Sequence, residues 1–164
     1  MTIVEKSWFN AIWFQITWFS CVLGRDDWLL LTLALMAFHY WAVSDLRLEL
    51  RRVLPCLVLG LGVDFLLTLL GVFNFGDQLF PLWMVCLWCV FPTALPRAMA
   101  FLAKSGWRPV VLGAIAPLNY LAGQKFGAVT LPLGEVNTMI LLVPLWMIML
   151  PVMVRFSQYQ SRPQ

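Results

Sequence analysis

Charge is what this sequence has least of. Only 12% of its 164 residues are Asp, Glu, Lys or Arg, where a soluble domain carries about 25%. That scarcity excludes an ordinary water-soluble globule. The net charge of +3 is no nucleic-acid footprint, because the basic residues sit at the ends of apolar runs and not in a patch. Catalytic signatures are missing as well. There is no phosphate-cradling glycine loop, no HExxH and no nucleophile elbow, so no catalytic residue is assigned and the reading leans away from an enzyme. The four cysteines, Cys21, Cys56, Cys86 and Cys89, all lie in apolar segments and make no disulfide framework of the secreted kind. Cys86 and Cys89 form a CxxC, but a lone pair inside an apolar helix, without a second pair, reads as packing and not as zinc or redox chemistry. No metal and no cofactor are expected. Low-complexity stretches and internal repeats are absent, and the connections are too short to hide a separate soluble domain.

What the chain does have is apolar residues, 62% of the total, gathered in blocks of membrane-crossing length and not in amphipathic stripes. Six spans are expected: residues 7–23, 28–44, 53–73, 79–95, 109–129 and 138–154. The first could pass for a signal peptide, with Lys6 ahead of an apolar run, but bulky Trp18 and Phe19 before Cys21 suit no small-residue cleavage site. Asp45 to Arg52 reads as a charged loop, Asn74 to Gln78 as a turn, and Thr130 to Asn137 as a loop. Pro92 and Pro96 should kink or end span four. Either the span stops near Leu95 and residues 96–103 lie at the interface, the favoured reading, or a broken helix continues to Ala103. A polar tail follows from Arg155.

Charge placement tests this layout. With the N-terminus in the cytoplasm, the inner side holds Lys6, Arg47, Arg51, Arg52, Arg97, Lys104, Arg108, Arg155 and Arg162, and the outer side only Arg25 and Lys125. Nine against two satisfies the positive-inside rule, and Trp8, Trp28, Trp41, Trp83 and Trp107 fall near span ends as interfacial anchors. The expected fold is therefore an all-α bundle of six transmembrane helices, both ends cytoplasmic, filling residues 1–164 as a single membrane domain.

Asp64 stands out, a carboxylate near the middle of span three. Such a group is expensive in hydrocarbon and should face protein or a water pocket. At about 1.5 Å of rise per residue, Asp64 and Asn119 lie about 16 Å from the cytoplasmic ends of their spans, and Gln15 about 13 Å. These three could share one buried network, a polar pocket to which Tyr120 on span five also belongs as a candidate. The alternative is plain hydrogen-bonded glue between helices, for instance Asp64 to Asn119. His39 lies about 9 Å from the cytoplasmic end of span two, and the bland reading, a satisfied interfacial histidine, is favoured. Arg97 is favoured as a positive-inside residue, although in a continued span four it could reach towards Asp64. Gly123 with Gly127, and Gly60 with Gly62, read as close-packing positions.

Four stretches, FQITWFSCVLG, GLGVDFLLTLLGVFNF, PLWMVCLW and PLNYLAGQKFGAV, resemble an uncharacterised, DUF2878-like family of small bacterial inner-membrane proteins. The resemblance covers most of the chain. It implies an inner-membrane location and a genomic neighbourhood shared with lipid-modifying enzymes of the cyclopropane-fatty-acid-synthase kind, which is an association of genes and not a mechanism. In the family pattern the stretch after the LW of span four is more polar, whereas here it reads FPTALPRAM. The function expected is an accessory role in lipid modification or envelope stress, with a pocket at Asp64. The partners expected are membrane lipids, a second copy of the chain and a lipid-modifying enzyme, with no nucleic acid. The alternatives are a small proton-linked transporter and a membrane-embedded enzyme using Asp64 and His39 as acid and base.

Overall fold

The computed structural model describes residues 1–158; Arg162 and the rest of 159–164 lie outside the described residues. The fold is all-α. Its helices are α1 (Ser7–Phe19), α2 (Leu29–Ala42), α3 (Leu46–Leu69), α4 (Leu82–Ala94), α5 (Arg108–Ile115), α6 (Leu118–Lys125) and α7 (Glu135–Gln158). A π-helical turn at Ser20–Gly24 extends α1, and short 3-10 turns occupy Ile3–Glu5 and Ala100–Lys104. Two of the helices, α3 and α7, are long and apolar enough to cross a membrane, while α2 and α4 are apolar but shorter.

Several boundaries differ from the sequence expectation, each for a local reason. The expected loop Asp45 to Arg52 is the N-cap and first turns of α3. The Asp45 carboxylate caps it by accepting the Leu48 amide at 2.9 Å, which satisfies one of the orphan donors of the first turn. The same helix ends at Leu69 and not at Phe73. Gly71 takes a positive φ of 74°, so that Val72 N–H reaches the Leu67 carbonyl and Gly71 N–H the Thr68 carbonyl, a Schellman termination. Helix α6 stops the same way at Gly127, φ 71°, with Ala128 N–H on the Gly123 carbonyl and Gly127 N–H on Gln124. Gly127 is thus a helix terminator and not half of a close-packing pair. The expected fifth span is two helices, parted at Ala116 and Pro117, because proline lacks the donor that would continue the ladder. Span six begins earlier and runs into the expected tail, since α7 extends from Glu135 to Gln158. Span four starts at Leu82, after Pro81, and stops at Ala94.

The most enclosed helix is α4, not the Asp64 helix. Trp83, Met84, Cys86, Trp88, Val90, Pro92, Thr93 and Ala94 are all buried, and α1, α2 and α3 pack around it. Trp83 is therefore a core residue against Phe75 and no interfacial anchor. Helix α7 packs on α3 and, most extensively, on α5. Gly113 makes that approach possible: a Cβ there would lie 2.5 Å from the Trp146 carbonyl oxygen. Gly62 has nothing within 4 Å and serves no such purpose.

The loops sort to two ends of the bundle. At one end Asn74 and Thr130 exchange backbone hydrogen bonds of 3.0 and 2.8 Å, Arg25 donates to the Gly127 carbonyl at 2.9 Å, and Gln78 donates to Asp26 at 2.7 Å. At the other end Glu5 binds the Ser44 hydroxyl and amide, joining the N-terminus to the α2–α3 turn. Desolvation pushes the Glu5 carboxyl up, but the Ser44 hydroxyl and the Thr2 and Ser44 amides outweigh it and hold the group down to about 2. The Cys56 thiol donates to the Met153 carbonyl at 3.6 Å, which sets the last turns of α7 beside the early part of α3.

Candidate functional site

One face of α3 builds both polar centres of the molecule. Its buried residues are Glu49, Val53, Cys56, Gly60, Asp64 and Leu67, spaced three or four apart, the stripe that a helix presents to one side. Two carboxylates sit on that stripe, about 22 Å apart along the axis by helix rise.

Asp64 is fully buried. Its Oδ2 accepts the Trp88 indole N–H at 2.8 Å, and its Oδ1 accepts the Tyr120 hydroxyl at 2.9 Å. Three helices, α3, α4 and α6, thereby converge on one carboxyl group. Gly60 makes room for the indole. It lies one turn before Asp64, and a Cβ there would meet the Trp88 ring at 2.2 Å. Trp88 also stacks on Trp146, centroids 5.9 Å apart, and Tyr120 stacks on Phe73 at 4.8 Å. Gly60→Ala is expected to push the indole off Asp64, lowering stability by about 1–3 kcal/mol and shifting tryptophan emission. Thermal unfolding and fluorescence of the purified protein check this, and a variant that matches wild type in both shows that Gly60 does not seat the indole.

A cavity of about 150 Å³ adjoins Asp64. Gln15 from α1 and Asn119 from α6 line it, and both are exposed at the bundle surface. The cavity therefore opens between α1 and α6. Gln15, Asn119, Tyr120 and Asp64 border the same space, but only Tyr120 bonds to the carboxylate. The Asp64–Asn119 bond, one form that interhelical glue could take, is not made. The Asn119 side-chain amide donates instead to the Ala116 carbonyl at 3.0 Å, which also accepts the Asn119 backbone N–H at 3.1 Å. Trp88 is the partner that sequence reading missed. Its place was hidden in the cysteine pair that brackets it.

The second centre lies at the other end of the stripe. The Glu49 carboxylate receives Arg97 in a two-pronged pair, Nη1 to Oε1 and Nη2 to Oε2, both 2.8 Å. His39 Nε2 is 2.9 Å from Oε1. All three side chains are buried. Proline explains the arginine. Pro96 helps to end α4, and the Arg97 amide bonds to Ala94 at 3.1 Å instead of to Thr93, as a continuing helix would require. The Thr93 carbonyl is free to take the Arg97 guanidinium at 3.0 Å. Trp13 stacks on the imidazole, centroids 4.5 Å apart. These contacts correct three expectations. Arg97 is no exposed positive-inside residue, it does not reach Asp64, and His39 is a core residue, not an interfacial one. Paired with Glu49, His39 cannot act with Asp64 as an acid–base couple. Glu49 itself was read as part of a loop; continuing the α3 stripe one turn back from Val53 would have found it.

Residues 7–152 match the family described as "Protein of unknown function (DUF2878)". The chain belongs to this family. The match spans both polar centres, so the Asp64 cavity and the Glu49 cluster are features of this DUF2878 domain and not of an appended segment. No curated protein and no solved structure matches the chain.

Proposed function

We propose that this DUF2878 protein is a multi-pass protein of a bacterial inner membrane, both chain ends cytoplasmic, whose Asp64 cavity binds a membrane-resident ligand in an accessory step of lipid modification or envelope maintenance. The carrying observation is inverted polarity, with open space beside a buried carboxylate. Asn10, Thr17, His39, Glu49, Asp64 and Arg97 are buried, while Leu30 is 84% exposed, Val136 72%, Val58 70% and Ile148 68%. Water would not tolerate so much exposed apolar surface; hydrocarbon favours it. Helix α1 with its π turn, and α5 with α6, each cover residues for about 27 Å of rise, close to a bilayer core of about 30 Å. The shorter α4 needs less length, because backbone enclosed by protein is tolerated at membrane depth. The sorting of loops to two ends supports alternating crossings, with Lys6 and Arg47 at one end and Arg25 at the other.

Asp64 separates function from structure. Asp64→Asn keeps the shape but sets an amide N–H against one of the two donors, at a cost of about 1–3 kcal/mol, read as a lower unfolding midpoint in detergent. In a deletion strain complemented with this variant at wild-type protein level, the lipid profile under membrane stress is expected to match the deletion and not the wild type. A fully restored profile makes Asp64 interhelical glue. An unchanged profile in the deletion itself removes the lipid role.

A further inference from the structure

The chemistry of the cavity specifies the sign of its ligand. This inference rests on the ligand-binding reading of the Asp64 cavity. Both carboxylate oxygens of Asp64 are held by neutral donors, Trp88 and Tyr120, and no ion pair to Asp64 exists among the described residues. Arg97, the cation that meets the buried face of α3, is committed to Glu49 at the other end of the stripe. A charge so placed, away from water, requires a counter-charge or a proton.

The walls point the same way. Trp18, Trp83, Trp88, Phe91, Tyr120 and Trp146 line the space, and among the described residues no Lys, Arg or His does. A phosphate or sulfate head would find no cation there and would face Asp64. Aromatic rings around a carboxylate are instead the surroundings that stabilise an organic cation, through the negative faces of the rings together with the acid. Size narrows the class further. About 150 Å³ is a volume known to accept a benzene-sized guest, enough for a small ammonium head with a few carbons but not for a hydrocarbon tail. A tail can leave through the mouth between α1 and α6, past Gln15 and Asn119, whose amides suit a hydroxyl or ester at that level.

We propose that the cavity is a binding site for an organic ammonium group, a protonated amine or quaternary ammonium seated against Asp64 among the aromatic side chains. The group could be the head of an amphiphile or a free small cation, and the test separates these. The probes are choline, its uncharged carbon isostere 3,3-dimethylbutan-1-ol, and decyltrimethylammonium. Each is titrated calorimetrically, and by tryptophan fluorescence, into the full chain in a non-ionic maltoside detergent. Choline is expected to bind the wild type at least about ten-fold more tightly than its isostere, a preference within the range of desolvated cation–aromatic contacts. Asp64→Asn is expected to abolish that preference. Decyltrimethylammonium binding more tightly than choline, with the same dependence on Asp64, identifies an amphiphile; equal affinity identifies a free cation; both support the ammonium site. If choline and its isostere bind the wild type equally, the ammonium assignment is wrong while the pocket stands. That comparison needs no variant, so a poorly folding Asp64→Asn does not protect the proposal. If none of the three probes binds, the pocket reading falls with it.

Discussion

Glu49→Gln is expected to destabilise the protein by about 3–5 kcal/mol, the range for removing one partner of a buried ion pair. The substitution keeps the shape of the side chain and removes its charge. Arg97, only 8% exposed, is then left as a buried cation whose remaining partners are all neutral, the Thr93 carbonyl and the new amide oxygen. The amide accepts only through its one oxygen, so one of the two bonds to Arg97 is lost with an N–H facing an N–H, the other weakens to an ordinary bond, and His39 must share that same oxygen. Arg97→Met alone should cost a similar amount, because Glu49 would keep only His39. The double variant, Glu49→Gln with Arg97→Met, should recover most of the loss, since a buried pair replaced as a unit is often near neutral. Thermal or denaturant unfolding in detergent reads all three. Single variants within about 0.5 kcal/mol of wild type, the range of ordinary surface changes, would show that the cluster is wetter and weaker than its geometry indicates. The larger consequence is architectural. Glu49 opens α3, Arg97 follows α4 and His39 ends α2, so the cluster holds three helices at one end of the bundle.

A second large effect is expected at Gly113. A Cβ there would sit 2.5 Å from the Trp146 carbonyl oxygen and 2.9 Å from the Met147 Cα. Those are backbone atoms, so no rotamer change relieves the contact; α5 and α7 must move apart. Gly113→Ala should therefore cost about 3 kcal/mol, the upper part of the usual overpacking range. Because Trp146 also stacks on Trp88, the shift should carry into the Asp64 site and alter tryptophan emission. Gly62→Ala is the control. Nothing lies within 4 Å of its added Cβ, and alanine is the better helix former by about 0.5–1 kcal/mol, so that variant should be neutral or slightly more stable. Equal behaviour of the two would mean that α5 and α7 are not in the close contact described.

The contrast between these glycines shows how far sequence reading reaches. Gly60, Gly62, Gly113, Gly123 and Gly127 look alike in a string of apolar letters. Gly60 admits an indole, Gly113 admits a helix backbone, Gly127 turns the chain at positive φ, and Gly62 does none of these. A spacing rule applied to Gly123 and Gly127 found a packing pair where the chain has a helix end. The same limit applies to charge. The burial of Asp64 was legible, because a lone carboxylate inside an apolar block has nowhere else to go. Its partners were not, for Trp88 and Tyr120 lie on two other helices and carry no periodic signal of their own. Glu49 was lost in a run of charges whose exposed members, Arg47 and Arg51, disguise the inward one.

The amino-acid sequence by itself determined that this protein is helical, where its apolar blocks lie, and that Asp64 is buried. Those properties follow from side chains acting along a single segment, through solvation and through the backbone preferences of proline and glycine. Only the tertiary structure decided which charges meet, that a cavity adjoins Asp64, and that α4 is the enclosed helix. Those outcomes depend on which faces of separate helices pack together. Arg97 and Glu49 are 48 residues apart, and Tyr120 and Asp64 are 56 apart. Contacts over such distances along the chain are settled by the fit of whole helices against one another, which no local pattern encodes.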